Sequence, residues 1–204
     1  MKPAPFVLIA IIAISLTASS TSTFAQGARG GAPQTAPMKS ARELISKQPP
    51  PVINKELSAV ITPDNSHVIV SLSKQRAYLM TGEQVYIDTP ISSGKRVGMT
   101  PTGSFTISEK DKDHRSATYG NFLDKGGRVV RAGISMKVDA APSGTHYEGA
   151  PMRWFCRFNG SIGMHIGILP GYPASHGCVR LPAEIAPLIY EKVKVGTSVV
   201  VREE

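Results

Sequence analysis

Ser175-His176-Gly177-Cys178-Val179-Arg180-Leu181 packs a thiol, an imidazole, a permanent cation and a residue without Cβ into one short run. Upstream, across Gly167-Ile168-Leu169-Pro170-Gly171-Tyr172-Pro173-Ala174, stands a second imidazole, His165. A free thiol titrates near ~8.5, so only a few per cent is thiolate at neutral pH, and an imidazole that takes the proton turns the sulfur into a nucleophile for carbonyl carbon. His165 and Cys178 are therefore the candidate base and nucleophile. Gly177 lets the chain turn sharply ahead of the sulfur and lets a carbonyl approach the amides around it. Amides so placed form oxyanion holes, in which a single donor typically contributes about 10²–10³ in rate. Arg180 offers a planar fork to a substrate carboxylate or carbonyl, or a partner to Glu184 just beyond it. Ser175 either turns the loop or hydrogen-bonds the substrate, and Tyr172 is a candidate wall of the cleft.

Outward from this run the pattern has period two. Val68, Val70 and Leu72 alternate with Ile69 and Ser71, Ala77-Tyr78-Leu79-Met80 follows, Thr81-Gly82 marks a turn, and Val85-Tyr86-Ile87 resumes. These predict a hairpin or meander. Phe105-Thr106-Ile107, Arg153 to Phe158 and Ile162 to Ile166 read as further strands, which puts His165 at a strand end and Cys178 after a Pro/Gly loop. Residues 109–128, rich in charge and paired glycines, read as a long loop over the site, of a length that suggests a lid. After the motif, Pro182 opens a helix carried by Ile185, Leu188, Ile189 and Val193 up to Gly196, and Thr197 to Arg202 closes the chain as a strand. The fold class expected is mainly β, with one helix after the nucleophile motif.

The chain has 204 residues, 41% of them hydrophobic and 19% charged, enough for one domain with a proper core. Residues 1–25 read as a secretory signal peptide: Lys2, an apolar run from Phe6 to Leu16, then Ser and Thr leading to cleavage after Ala25. The run is shorter than the about 20 residues a bilayer span needs; an uncleaved anchor is the alternative. No cysteine follows the run, which excludes a lipoprotein. Residues 26–65 are a flexible linker and connecting segment, with Pro49-Pro50-Pro51 near its centre, a short turn over 41–47, and Val52 to Pro63 either packing on the domain or continuing the linker. Residues 66–202 form the domain. Its location is the periplasm or cell envelope.

The net charge of +8 suits a polyanionic neighbourhood such as a cell-wall polymer or lipid surface. Nucleic acid is set aside as a partner because the basic residues are dispersed, without a run or interleaved aromatics. His67, His114 and His146 read as surface or satisfied core residues. Cys156, His165, His176 and Cys178 carry the right atoms for zinc but lack the short paired spacings of such sites, so no metal is assigned. A Cys156–Cys178 disulfide is the structural alternative in an oxidising compartment; Cys156, alternating with Trp154 and Phe158, otherwise reads as a small buried hydrophobe.

At these residues the chain resembles the L,D-transpeptidase catalytic domain (YkuD) family, whose signature is Ser-His-Gly-Cys-x-[Arg/Asn] after an upstream His. The resemblance takes in Met164 to Ala174, the SHGCVRL run, Met99-Thr100-Pro101-Thr102-Gly103-Ser104-Phe105 and Pro151 to Phe158, about residues 66–202 in all. It implies a β-sandwich-like catalytic fold and an acyl transferase of peptidoglycan stem peptides. Cys178 is then the nucleophile and His165 the proton carrier for both the departing and the accepting amine. The oxyanion donors are amides around His176, Gly177 and Cys178. Many members have Gly or Ser after the catalytic His where this chain has Ile166; because the family uses the carbonyl there to orient the imidazole, that role passes to Ile166. Arg180, Ser175 and Tyr172 are the substrate-binding candidates. No cofactor is implied, the chain is expected to be a monomer, and a wall-linked lipoprotein is a further expected partner. Two rivals stand beside this: a hydrolase using the same site with water, and a non-catalytic wall-binding module held by the disulfide.

Overall fold

Alternation along the first strands decides which side of the chain becomes core. A computed structural model describes residues 48–204; the residues read as a signal peptide, most of those read as linker and the expected turn over 41–47 lie outside the described residues. Strands β1 (Val52–Ile53), β2 (Ser66–Ser71), β3 (Arg76–Thr81), β4 (Gln84–Pro90), β5 (Gly103–Thr106) and β13 (Ser198–Arg202) form one sheet in the order β1-β4-β3-β2-β13-β5. Its registers line up Ile87, Leu79, Val68, Val199 and Phe105 in a single row across five strands. Successive side chains point to opposite faces, so this row and the next, with Ala77, Val70 and Val201, build one apolar face.

That face packs on a second sheet, in the order β12-β11-β10-β6, made of β6 (Glu109–Asp111), β10 (Phe155–Asn159), β11 (Ile162–Ile166) and β12 (Val179–Leu181). Cys156, Met164 and Val179 stand abreast and fully buried in the shared core. The helix α1 (Ala186–Lys192) adds Ala186 and Ile189 to it, and Ile185 and Val193 flank it. The expected sandwich-like, mainly β architecture with one helix after the motif is what the chain adopts. Pro182 does not itself begin the helix; its carbonyl accepts from the amides of Ile185 and Ala186, one turn earlier.

One stretch differs from expectation, and one that was left open is decided. Residues 109–128 are not a loop: β6 and β7 (Arg115–Leu123) occupy most of them, and β7 sits between β8 (Val129–Ser135) and β9 (His146–Pro151) in a third sheet. Most side chains of β8 are exposed, so no apolar alternation marks it in sequence. In Val52 to Pro63, left open between linker and domain, the chain packs: β1 pairs with β4, a 3-10 helix spans Lys55–Ala59, and Leu57 and Ile61 enter the core.

Candidate active site

Strands β11 and β12 run parallel, with Met164 beside Val179 and His165 beside Arg180. One step before that register, Cys178 stands beside Gly163. The pleat then fixes the faces: Met164 and Val179 point into the core, and Cys178, His165 and Arg180 point out on the other side. There they line one cavity of about 520 Å³, whose wall also carries Ser175, His176, His114 and Tyr119. Parallel neighbours need a crossover, and here residues 167–178 supply it, which is how the loop brings thiol and imidazole together. The start of β12 is clamped from the far side as well, since Ser92 and Arg180 exchange both main-chain hydrogen bonds.

His165 is buried, and its Nδ1 lies 2.7 Å from the Ile166 carbonyl. A carbonyl only accepts, so Nδ1 carries the proton and Nε2 keeps the lone pair. Burial, opposed by that hydrogen bond and reinforced by the charge of Arg180, lowers its pKa from 6.5 to about 4. Burial also raises the Cys178 thiol above its ordinary value, against a backbone hydrogen bond from Gly163 and the charges of Arg180 and Arg157. Each group therefore rests neutral at pH 7, as thiol and imidazole.

Both cysteines are free, which removes the disulfide alternative. The reason is the pleat: Cys156 faces the core, where burial pushes its thiol up to about 12, and Cys178 faces the cavity. The same separation takes Cys156 away from the zinc set considered above.

The turn of the motif spends groups that sequence reasoning left available. Ser175 Oγ donates to the Cys178 carbonyl at 2.6 Å and accepts from the Gly177 amide at 2.9 Å, so the serine caps the turn. The Gly177 amide is thereby occupied and is not an oxyanion donor, which corrects that expectation. Gly177 is needed for its backbone: φ is +135°, and a Cβ there would lie 2.8 Å from the Met99 carbonyl oxygen. Thr100 Oγ1 donates to the Gly177 carbonyl at 2.6 Å, tying the Thr100-Pro101 segment to the motif. Tyr172 is also corrected: it lies outside the cavity wall and is exposed, its carbonyl held by Ser92 Oγ at 2.8 Å. Arg180 has no carboxylate in reach among the described residues and does not pair with Glu184; its guanidinium donates to the Ile168 carbonyl at 3.4 Å. The His176 ring stacks on Tyr119 at 4.3 Å, with Nε2 3.2 Å from Lys95 Nζ.

His114 is the residue whose place sequence reasoning missed. Its ring stacks on Phe155 at 4.2 Å, and its Nδ1 lies 3.0 Å from Asp111 Oδ2. The only signal in sequence is the Asp-x-x-His spacing from 111 to 114, which is weak without the strand pairing.

Compared with known families, residues 65–201 match the model of the L,D-transpeptidase catalytic domain. Among solved structures, an L,D-transpeptidase from Mycobacterium smegmatis superposes with a TM-score of 0.50 at 18% identity, covering 68% of this chain and 58% of that one. An L,D-transpeptidase in complex with imipenem gives 0.50 at 19% identity, covering 68% and 59%. One from Stackebrandtia nassauensis gives 0.49 at 20% identity, covering 68% and 55%. This chain spans a little over half the length of those proteins, and at such identities the likeness is one of fold. No curated protein matches the sequence.

Proposed function

The chain belongs to the L,D-transpeptidase catalytic domain family, and from that premise we propose that it is an exported enzyme that transfers acyl groups between peptidoglycan stem peptides through a thioester on Cys178. Cys178 Sγ attacks a carbonyl carbon of the donor peptide while its proton passes to His165 Nε2. The C–N bond breaks, His165 gives that proton to the nitrogen of the departing D-amino acid, and the thioester remains. An acceptor amine then attacks the thioester, the C–S bond breaks, and the sulfur is released to be reprotonated. Because both groups rest neutral, proton transfer accompanies attack and the pair does not wait as thiolate and imidazolium.

The observation that carries this reading is the parallel β11–β12 register, which sets a free thiol and an imidazole with an open Nε2 on the same cavity face. The oxyanion donors are assigned to the amides of His176 and Cys178, since that of Gly177 is taken by Ser175. Arg180, cationic and without an acidic partner among the described residues, is assigned to a substrate carboxylate.

Two measurements test the reading. Incubation with a carbapenem, followed by intact mass, should give one adduct, lost in Cys178→Ala; a folded wild-type protein that stays unmodified would count against the enzyme. Incubation with tetrapeptide muropeptides should give cross-linked dimers. Trimmed monomers alone would assign the site to the hydrolase instead.

A further inference from the structure

The cavity holds a second imidazole that the reaction above does not use. We propose that His114, held by Asp111, receives the acceptor amine as its ammonium and takes the first of its two protons. The inference rests on the transpeptidase reading and deepens it.

The proton count creates the need. A primary amine acceptor arrives in neutral water as –NH3⁺, whereas the departing amine of the donor leaves from an amide. Acylation therefore moves one proton, from Cys178 through His165 to the leaving nitrogen. Aminolysis must remove two from the acceptor, one to free the lone pair and one as the new amide forms. His165 is a single acceptor for both, and with a pKa lowered to about 4 it is a weak trap for a proton held in advance.

The geometry supplies the second acceptor. Asp111 stands directly beside Phe155 across β6 and β10. The Phe155 ring is 6.3 Å from the His165 ring on one side, and His114 stacks on it at 4.2 Å, nearly parallel at 9°. Phe155, fully buried, thus neighbours two imidazoles that share one cavity wall with Cys178. His114 Nδ1 is committed to Asp111, so Nε2 is the nitrogen left to exchange a proton, with no hydrogen bond of its own among the described residues. Nearby Glu109 is occupied by Arg157 at 2.6 Å, which leaves Asp111 as the carboxylate of this pair. Arg180 lies beyond His165 on the opposite side. The cleft thus carries Arg180 where the donor's carboxylate would sit and, around Phe155, the Asp111–His114 pair where an ammonium would enter, with the Arg157 guanidinium 5.1 Å over the same ring and neutralised by Glu109. Drawing that ammonium out of water weakens its hold on the proton, and His114 Nε2 takes it, the positive charge then lying beside Asp111. His165 takes the second proton as the amine attacks, and returns it to the Cys178 sulfur.

The test separates the two half-reactions in the full-length protein. His114→Asn keeps a side-chain N–H for Asp111 and removes the basic nitrogen. Carbapenem acylation of Cys178 and thioester formation from a tetrapeptide donor should stay within about two-fold of wild type. Transfer to a D-amino acid acceptor should fall at least ten-fold, in line with the ~10²–10⁴ that a positioned base contributes. Hydroxylamine, largely uncharged at neutral pH, should be used almost as well as by wild type, because it needs no first deprotonation. Undiminished transfer to the D-amino acid overturns the proposal, as does an equal loss with hydroxylamine or a parallel loss of acylation, which would make His114 a structural support. Asp111→Asn should reproduce the selective loss in weaker form, and an unchanged acceptor rate in that variant would remove Asp111 from the pair. A wild-type protein that forms no adduct on Cys178 would instead overturn the transpeptidase reading on which all this stands.

Discussion

At Cys178 and His165 the physics of burial runs opposite to the usual picture of a preformed ion pair. Taking either group out of water disfavours its charged form, so the thiol rises and the imidazole falls. The pH dependence follows with a definite sign. His165 must be neutral to accept the thiol proton, and it stays neutral until pH drops through about 4, well below the 6.5 of an exposed imidazole. Carbapenem acylation followed by intact mass should therefore stay level from pH 7 down to about 5 and fall only near 4. A midpoint close to 6.5 would show that His165 is not shielded from water as the structure has it. At this scale a candidate thiol and imidazole, which the fold brings to one cavity, were readable, because few other jobs demand those residue types around a Gly-Cys turn. The place of His114 was not readable, since its neighbours Phe155 and Asp111 reach it only through strand pairing.

The turn from Ser175 to Cys178 is the element that aims the sulfur. Its two hydrogen bonds from one buried hydroxyl replace what a regular strand or helix would provide. Removing that hydroxyl leaves a buried amide without a partner, which costs about 1–3 kcal/mol. Ser175→Ala should accordingly lower the melting temperature by a few degrees and slow acylation by at least ten-fold, read by thermal melt and by adduct formation. Full activity with unchanged melting would mean that the serine neither caps nor aims. Elements also show where pattern reading stops. The row through Val68, Leu79 and Ile87 declared itself because its buried side chains alternate with half-exposed ones, Ile69, Tyr78 and Asp88. The sheet of β7, β8 and β9 carries mostly exposed or half-exposed side chains. Without a dry face there is no period to detect, so β7 read as loop and β8 and β9 drew no reading.

For the whole molecule, the domain begins earlier than its sequence pattern. Leu57 and Ile61 are buried, Arg76 Nη1 donates to the Pro49 carbonyl at 2.7 Å, and Lys192 Nζ donates to the carbonyls of Ser58 and Ile61. Burying two aliphatic side chains stabilises by about 1.5–3 kcal/mol each, and losing β1 bares the edge of β4. A chain beginning at residue 66 should melt well below one beginning at residue 48, and should aggregate more readily. Equal melting temperatures would show that the segment rides on the surface without supporting the fold.

The sequence alone determined the chemistry on offer, a thiol, an imidazole and a cation around a sharp turn, and the strand alternation that makes a β core, because those are properties of residue types and short spacings. Only the tertiary structure decided which face each group occupies, which amide of the motif is already spent, and that His114 shares the cavity. Those facts depend on the register between strands distant in sequence. A pleat has two faces, and a one-residue slip in pairing would exchange them all.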